Sequence, residues 1–300
     1  MSPGSKHRLY PQVAGAASFE LFVRGELDAA VALSRRATKA TRPGDEPPII
    51  ALASLSAGLL YLGRAEAAVG VADETLTMAE ASADPWVRVV CATNAIAILH
   101  NEHARSPQEL TALASTALGI ARRLGNPTAL RLAAQRAGIV CSASDPALAV
   151  AYFEEALQAG VYTGADANFV PTLGYLSRCW AAIGDNSKTA SAIRQGVLFA
   201  REMGSPTVLL QILDYGGQAL VTLGRYEEGA VILAVPASGT IAPRAMTGLL
   251  LEQRTAAQTT ARAHLGEERY NQAAAIGAAM GADSAINYTL AALDPASAQV

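Results

Sequence analysis

The stretch LGRYEEGA at Leu223–Ala230 repeats, with small changes, the stretch LGRAEAA at Leu62–Ala68. In both, a leucine-glycine pair comes before polar residues and then alanine, and glycine ends a helix at low cost because it tolerates a positive φ. The same kind of turn recurs with spacings of 38, 121, 40 and 42 residues at Gly25, Gly63, Gly184, Gly224 and Gly266. We therefore predict a repeat of about forty residues, in which the long gap covers three repeats with degenerate turns near His103 and Ser144.

A second type of turn follows the same period. The tripeptides at 125–127 (GNP) and 204–206 (GSP) lie 79 residues apart, and each places a proline where the next helix would begin. Two turns per repeat indicate two helices per repeat, and strand signals are nearly absent. The sequence predicts an all-α, tetratricopeptide-like superhelical solenoid of about seven helix pairs.

The repeat pattern also divides the chain. We expect a disordered N-terminus at 1–10, tetratricopeptide-like repeats over 11–235, a C-terminal helical cap over 236–293 that continues the solenoid, and a disordered tail at 294–300. The boundary at 236 follows from the Pro/Ser/Gly segment Pro236–Pro243, which interrupts the pattern. The piece from Arg244 to Leu293 should contain two or three helices.

Composition narrows the function classes. The chain is 51% hydrophobic but 5% aromatic, and its 16% of charged residues give a net charge of −3 without any run of Lys or Arg. Such a chain lacks the basic patch of a nucleic-acid-binding protein. Its most apolar run, Val89–Leu99, is far shorter than the roughly 20 residues that cross a bilayer. With no signal peptide and three cysteines in apolar contexts, we expect a cytoplasmic protein that binds neither nucleic acid nor membrane.

The C-terminal part carries a resemblance to a family. Gly229–Leu233 and Arg262–Glu267, together with Tyr270, Ala274, Gly277, Met280, Ala285, Ile286 and Ala291, resemble the end of the helical-repeat region of MalT-like and LuxR-type ATPase transcriptional regulators. This family is abundant in actinobacteria and is often linked to adenylate-cyclase-like domains. The resemblance implies that this chain has the sensor or docking role of that helical-repeat region. The chain has no G-x-x-x-x-G-K-[ST] motif and no recognisable helix-turn-helix after Ala291, so ATP hydrolysis and DNA binding are not expected.

Few residues suggest catalysis. The group His100–His103 offers two histidines and a carboxylate, but it has no identifiable third ligand, so we predict no metal and no cofactor. No Gly-x-Ser-x-Gly frames a nucleophilic serine. We therefore predict no catalytic residues.

The strongest candidate site is a series of residues at the same position of the first helix in successive repeats, the sixth position when the turn glycine is counted as the fifteenth. We call this series the ladder. Its members are spaced 40, 41, 40 and 40 residues apart: Ser54, Asn94, Gln135, Tyr175 and Tyr215. One helical turn further along the same face lie Arg178 and Gln218, and Asp214 comes directly before Tyr215. In tetratricopeptide solenoids this face lines the concave groove. We predict that a protein partner or small effector binds there, through Asn94, Gln135, Tyr175, Arg178, Asp214, Tyr215 and Gln218.

Two alternatives remain open. The chain could be a plain scaffold without a ligand, or an enzyme that uses the groove as its active site. The enzyme would need clustered acids or a metal, whereas the ladder consists mostly of amides and tyrosines. The sequence does not specify an oligomeric state.

Overall fold

The structure is a computed structural model that describes residues 7–42, 45–161, 169–235 and 247–294. Within these ranges every extended regular element is a helix, in agreement with the predicted all-α fold. The fifteen helices are α1 (Tyr10–Val23), α2 (Leu27–Ala40), α3 (Ile49–Tyr61), α4 (Ala65–Ala81), α5 (Pro85–Asn101), α6 (Pro107–Leu124), α7 (Pro127–Cys141), α8 (Pro146–Gly160), α9 (Phe169–Ile183), α10 (Asn186–Met203), α11 (Pro206–Thr222), α12 (Tyr226–Leu233), α13 (Gly248–Leu265), α14 (Glu267–Ala278) and α15 (Ala282–Ala292).

The turns lie where the sequence pattern puts them. All five turn glycines have a positive φ, of 82°, 71°, 89°, 79° and 77° at Gly25, Gly63, Gly184, Gly224 and Gly266. At the degenerate turn near His103, the histidine itself takes a φ of 52°, which is unfavourable for a residue with a side chain. The other type of turn ends in a left-handed glycine at Gly125 and Gly204, after which a proline opens the next helix. Period and turn chemistry therefore set the helix boundaries.

The chain forms two compact units, the first comprising Met1–Val140 with Arg244–Leu249 and the second Cys141–Pro243 with Leu250–Val300. In the first unit, α1 packs on α2 and α3, α3 packs on α4 and α5, and α5 packs on α6. First helices of successive pairs therefore contact one another. Small side chains fill the crossings, with fully buried alanines at Ala30, Ala37, Ala51 and Ala68. This composition lets the helix axes approach closely.

The second unit repeats this arrangement and adds a C-terminal layer. Helix α9 packs on α8, α10 and α11, and α11 packs on α12. Helix α14 packs on α12, and α15 packs against α10, α11 and α12. The C-terminal piece thus contains three helices, within the two or three expected.

Several segment predictions fall outside the described residues. These are residues 1–6 of the expected N-terminal tail, the Pro/Ser/Gly segment at 236–243 and residues 295–300 of the expected C-terminal tail. Helix α1 begins at Tyr10, the last residue of the expected tail. In the described part of the chain, no helix is long and apolar enough to cross a membrane.

Candidate functional site

The two ladder tyrosines meet in the second unit. Tyr175 on α9 and Tyr215 on α11 have ring centroids 5.8 Å apart at an interplanar angle of 57°. On its other side Tyr175 stacks on Phe153 of α8, at 6.2 Å and 27°. The three rings form a continuous aromatic row across three helices, an arrangement that contributes roughly 0.5–1.5 kcal/mol per pair beyond simple burial.

A glycine makes room for this row. A Cβ atom built on Gly174 would overlap the ring of Tyr215, so any side chain at position 174 would displace that ring. Gly174 lies next to Tyr175 on α9, which explains how α9 and α11 approach with a tyrosine between them. Its role is close approach, since Gly174 is not among the glycines with positive φ.

An ion pair with a buried carboxylate lies beside Tyr215. The carboxylate of Asp214 accepts hydrogen bonds from Arg254 Nη1 at 2.6 Å and from Gln218 Nε2 at 2.9 Å. Arg254 also donates to the main-chain carbonyl of Leu233 at the end of α12. The Asp214 side chain is 5% exposed and that of Arg254 is 27% exposed. The guanidinium group of Arg254 therefore links α13 to α11 and α12.

Arg254 was not among the predicted site residues, although the forty-residue spacing could have found it. Adding one further period of 40 residues to Asp214 gives Arg254. The prediction stopped the ladder at the Pro/Ser/Gly segment and did not continue it into α13. The structure places Arg254 of α13 beside Asp214 of α11.

Arg178 is the most accessible predicted residue of the second unit. Its guanidinium carbon lies 5.4 Å from the centroid of the Tyr175 ring. The side chain is half-buried, whereas Tyr175, Asp214, Tyr215 and Gln218 are buried at 7%, 5%, 3% and 6% exposure. We call these five residues together with Arg254 the inner cluster.

The remaining predicted residues lie in the first unit. Asn94 on α5 is half-buried and Gln135 on α7 is 1% exposed. Between these helices, Arg136 Nε donates to the carbonyl of Thr93 at 2.9 Å. The structure thus brings five of the seven predicted side chains together in the second unit and places the other two in the first.

The cysteine thiols are poorly suited to nucleophilic chemistry. Cys91, Cys141 and Cys179 are buried and form no disulfide. Burial raises the pKa of each thiol to about 11, so all three are protonated near neutral pH. A protonated thiol is a weak nucleophile and a poor metal ligand.

The histidine group at 100–103 is organised by hydrogen bonds. The Oε1 atom of Glu102 accepts from Asn101 Nδ2 at 2.6 Å and from Thr247 Oγ1 at 2.7 Å. Nowhere in the described ranges do three or more His, Cys, Asp or Glu residues form a group that could hold a metal ion. The Glu102 contacts fix the end of α5 to the residue before α13, within the first unit.

A cavity of about 220 Å³ lies in the second unit between α10, α11 and α15. Its lining is mainly apolar and includes Leu209, Leu213 and Ile286, with Arg201 and Asp283 also present. None of the ladder residues lines it. We therefore treat it as a packing feature of the C-terminal layer.

Comparisons with known proteins identify the fold only. No protein-family model matches the chain, and no curated protein matches it. Among solved structures, a Rap protein complexed with competence and sporulation factor is similar, with a TM-score of 0.56 and 16% sequence identity over 95% of this chain and 74% of that one. The chain is thus an all-α helical-repeat protein with a tetratricopeptide-like fold.

Proposed function

We propose that this protein is a non-catalytic helical-repeat module that binds a protein partner or a small effector. The binding surface would be the face formed by the first helices of the repeats. The observation that supports the proposal is the inner cluster, in which aromatic, charged and amide side chains from α9, α11 and α13 meet within the second unit. Aromatic rings and a guanidinium group are the side chains that most often dominate binding energy in protein interfaces. The Rap protein of similar fold was solved in a complex with competence and sporulation factor, which supports a binding role.

The proposed contact residues are the seven predicted ones, with Arg178 and Asn94 as the points of entry. Both side chains are half-buried. The other five are buried and would support the binding surface by fixing the positions of the side chains above them. A ligand of the second unit would therefore first meet Arg178, and Asn94 is the accessible predicted residue of the first unit taken by itself.

Site-specific photocrosslinking in the native cell tests the binding face. Benzoylphenylalanine is placed singly at position 94, 178 or 195, where Gln195 is exposed on the second helix α10 and serves as the control. We expect a discrete adduct from positions 94 and 178 and none from 195. Adducts from 195 alone would contradict the proposed face, and no adduct from any position would favour the plain scaffold.

The captured ligand then allows a quantitative measurement. Arg178→Ala should weaken its binding about tenfold, which corresponds to about 1.4 kcal/mol. Ser54→Ala is the matched ladder control in α3 and should leave the affinity unchanged. Equal affinities for Arg178→Ala and the parent chain would remove Arg178 from the site. Turnover of the captured ligand by the purified chain would instead support the enzyme alternative.

We also propose that the chain derives from the sensor module of MalT-like regulators, with repeats over 11–235 and a cap over 236–293. The C-terminal residues that carry the resemblance support this proposal, since Tyr270 is buried and Gly266 turns the chain between α13 and α14. A neighbouring gene that encodes a P-loop ATPase or a helix-turn-helix protein would favour this origin. Neighbouring genes of unrelated type, in several genomes, would contradict it.

A further inference from the structure

Arg178 carries a hydrogen-bond donor without an acceptor. Its Nη1 atom is buried and has no hydrogen-bond partner among the described residues. Guanidinium offers five N–H donors and no acceptor, and a buried charged donor left unpaired is costly. The residue as a whole is half-buried, so a ligand can reach part of the side chain, next to the buried Nη1 atom.

The charge of Arg178 is not compensated locally. Within the described residues no carboxylate lies within 4 Å of it, because Asp214, the acid of the inner cluster, pairs with Arg254. The neighbouring Cys179 thiol is neutral at physiological pH, since burial raises its pKa to about 11. Two arginines and one aspartate therefore leave the inner cluster with one net positive charge.

The nearby Tyr175 ring favours a fixed orientation of the Arg178 side chain. The Tyr175 ring lies 5.4 Å from the guanidinium carbon of Arg178 and itself packs on Phe153 and Tyr215. This contact restricts the guanidinium plane while leaving its N–H groups to find an acceptor. A planar carboxylate matches such a fork with two parallel hydrogen bonds.

We propose that Arg178 binds the side-chain carboxylate of an aspartate or glutamate in a peptide segment, an inference that rests on the proposed function. A single negative charge matches the single net positive charge of the inner cluster. Phosphate sites in peptide recognition usually combine several arginines, whereas here Arg254 is already used by Asp214. Arg178 is thus the specificity-determining residue for an acidic peptide.

Matched peptide pools test the proposal with the full chain. Acetylated, amidated hexapeptides carry Asp or Glu at the third position in one pool and Asn or Gln in the other, with the remaining positions randomised among uncharged residues. Retention on the immobilised protein is measured by mass spectrometry. We expect the acidic pool to be retained about tenfold better by the parent chain and equally to the amide pool by Arg178→Gln. Arg201→Gln removes one charge at an exposed position of α10 and should keep the preference.

The other outcomes separate the inference from the function on which it rests. Equal retention of both pools by the parent chain overturns the carboxylate assignment but leaves peptide binding intact. A preference that persists in Arg178→Gln overturns the role of Arg178. Preferential retention of a third pool, neutral in its side chains but with a free C-terminal carboxylate, overturns the choice of an acidic side chain. Retention of no pool overturns the acidic-peptide inference, and the crosslinks from positions 94 and 178 then decide the proposed function by themselves.

Discussion

The two units differ in the residues of the ladder and in the burial of an ion pair. In the first unit, the ladder holds Ser54, Asn94 and Gln135, and the ion pair Arg64–Asp28 lies at the surface with side chains 49% and 79% exposed. In the second unit, the ladder holds Tyr175 and Tyr215, and the pair Arg254–Asp214 is 27% and 5% exposed. Similar helix pairs can therefore enclose either hydroxyl and amide side chains or an aromatic and ionic cluster. The second choice makes the unit depend on a few polar contacts.

The largest difference in stability between the two units should appear when the ion pair of each unit is broken in a separate variant. Arg254→Met leaves the Asp214 carboxylate buried without its ion-pair partner, although Gln218 still donates to it, and should destabilise the second unit by about 3 kcal/mol. Arg64→Met removes an exposed partner at 3.4 Å and should cost under about 0.5 kcal/mol. Urea denaturation midpoints of both variants measure this. Equal shifts would show that the buried pair contributes no more than the exposed one.

Two glycine substitutions sharpen the comparison at the level of packing. Gly174→Ala would drive a methyl group into the Tyr215 ring and should cost about 1–3 kcal/mol, because a packed core resists added volume. Gly70 is the matched control in α4 of the first unit, where an added Cβ meets nothing within 4 Å. Gly70→Ala should stabilise the protein by about 0.5–1 kcal/mol through helix propensity. Thermal unfolding of both variants gives opposite shifts if this packing is correct.

The smallest expected effects concern the turns, where both units use the same backbone conformation. Gly224 in the second unit has a φ of 79°, so Gly224→Val should cost on the order of 1 kcal/mol or more. His103 in the first unit has a φ of 52°, so His103→Gly should stabilise by up to about 1 kcal/mol. Calorimetry on the two variants is the measurement. A destabilising His103→Gly would mean that contacts of the imidazole outweigh its backbone strain.

The fold was more predictable than the site because turn chemistry is local. A glycine at a turn indicates a positive φ from its residue type alone, and all five glycine turns that the sequence predicts have that conformation. The contact between Tyr175 and Tyr215 also followed from the period, since both occupy the same position on adjacent first helices.

The sequence did not reveal how deeply the predicted side chains are buried, or which distant residue pairs with Asp214. Helical spacing places Tyr215 on a face but does not say that the ring is 3% exposed, because that depends on how closely α9 approaches α11. The partner of Asp214 lies beyond the segment that interrupts the pattern, so the repeat appeared to end before Arg254. The accessibility of Arg178 likewise arises from the burial of its neighbours.

The return of α15 onto α10, α11 and α12 has a consequence for synthesis on the ribosome. Helix α11 ends at Thr222 and α15 ends at Ala292, seventy residues later, and Arg225 Nη1 then donates to the Ala292 carbonyl at 2.7 Å. At roughly 5–20 residues per second, the apolar surface that α15 covers stays open to solvent or to chaperones for on the order of ten seconds. The first unit's hairpins α1–α6 pack mainly on their immediate neighbours and can be completed as they emerge. A nascent chain stalled before Ala282 should therefore recruit chaperones through the surface that includes Leu209 and Leu213.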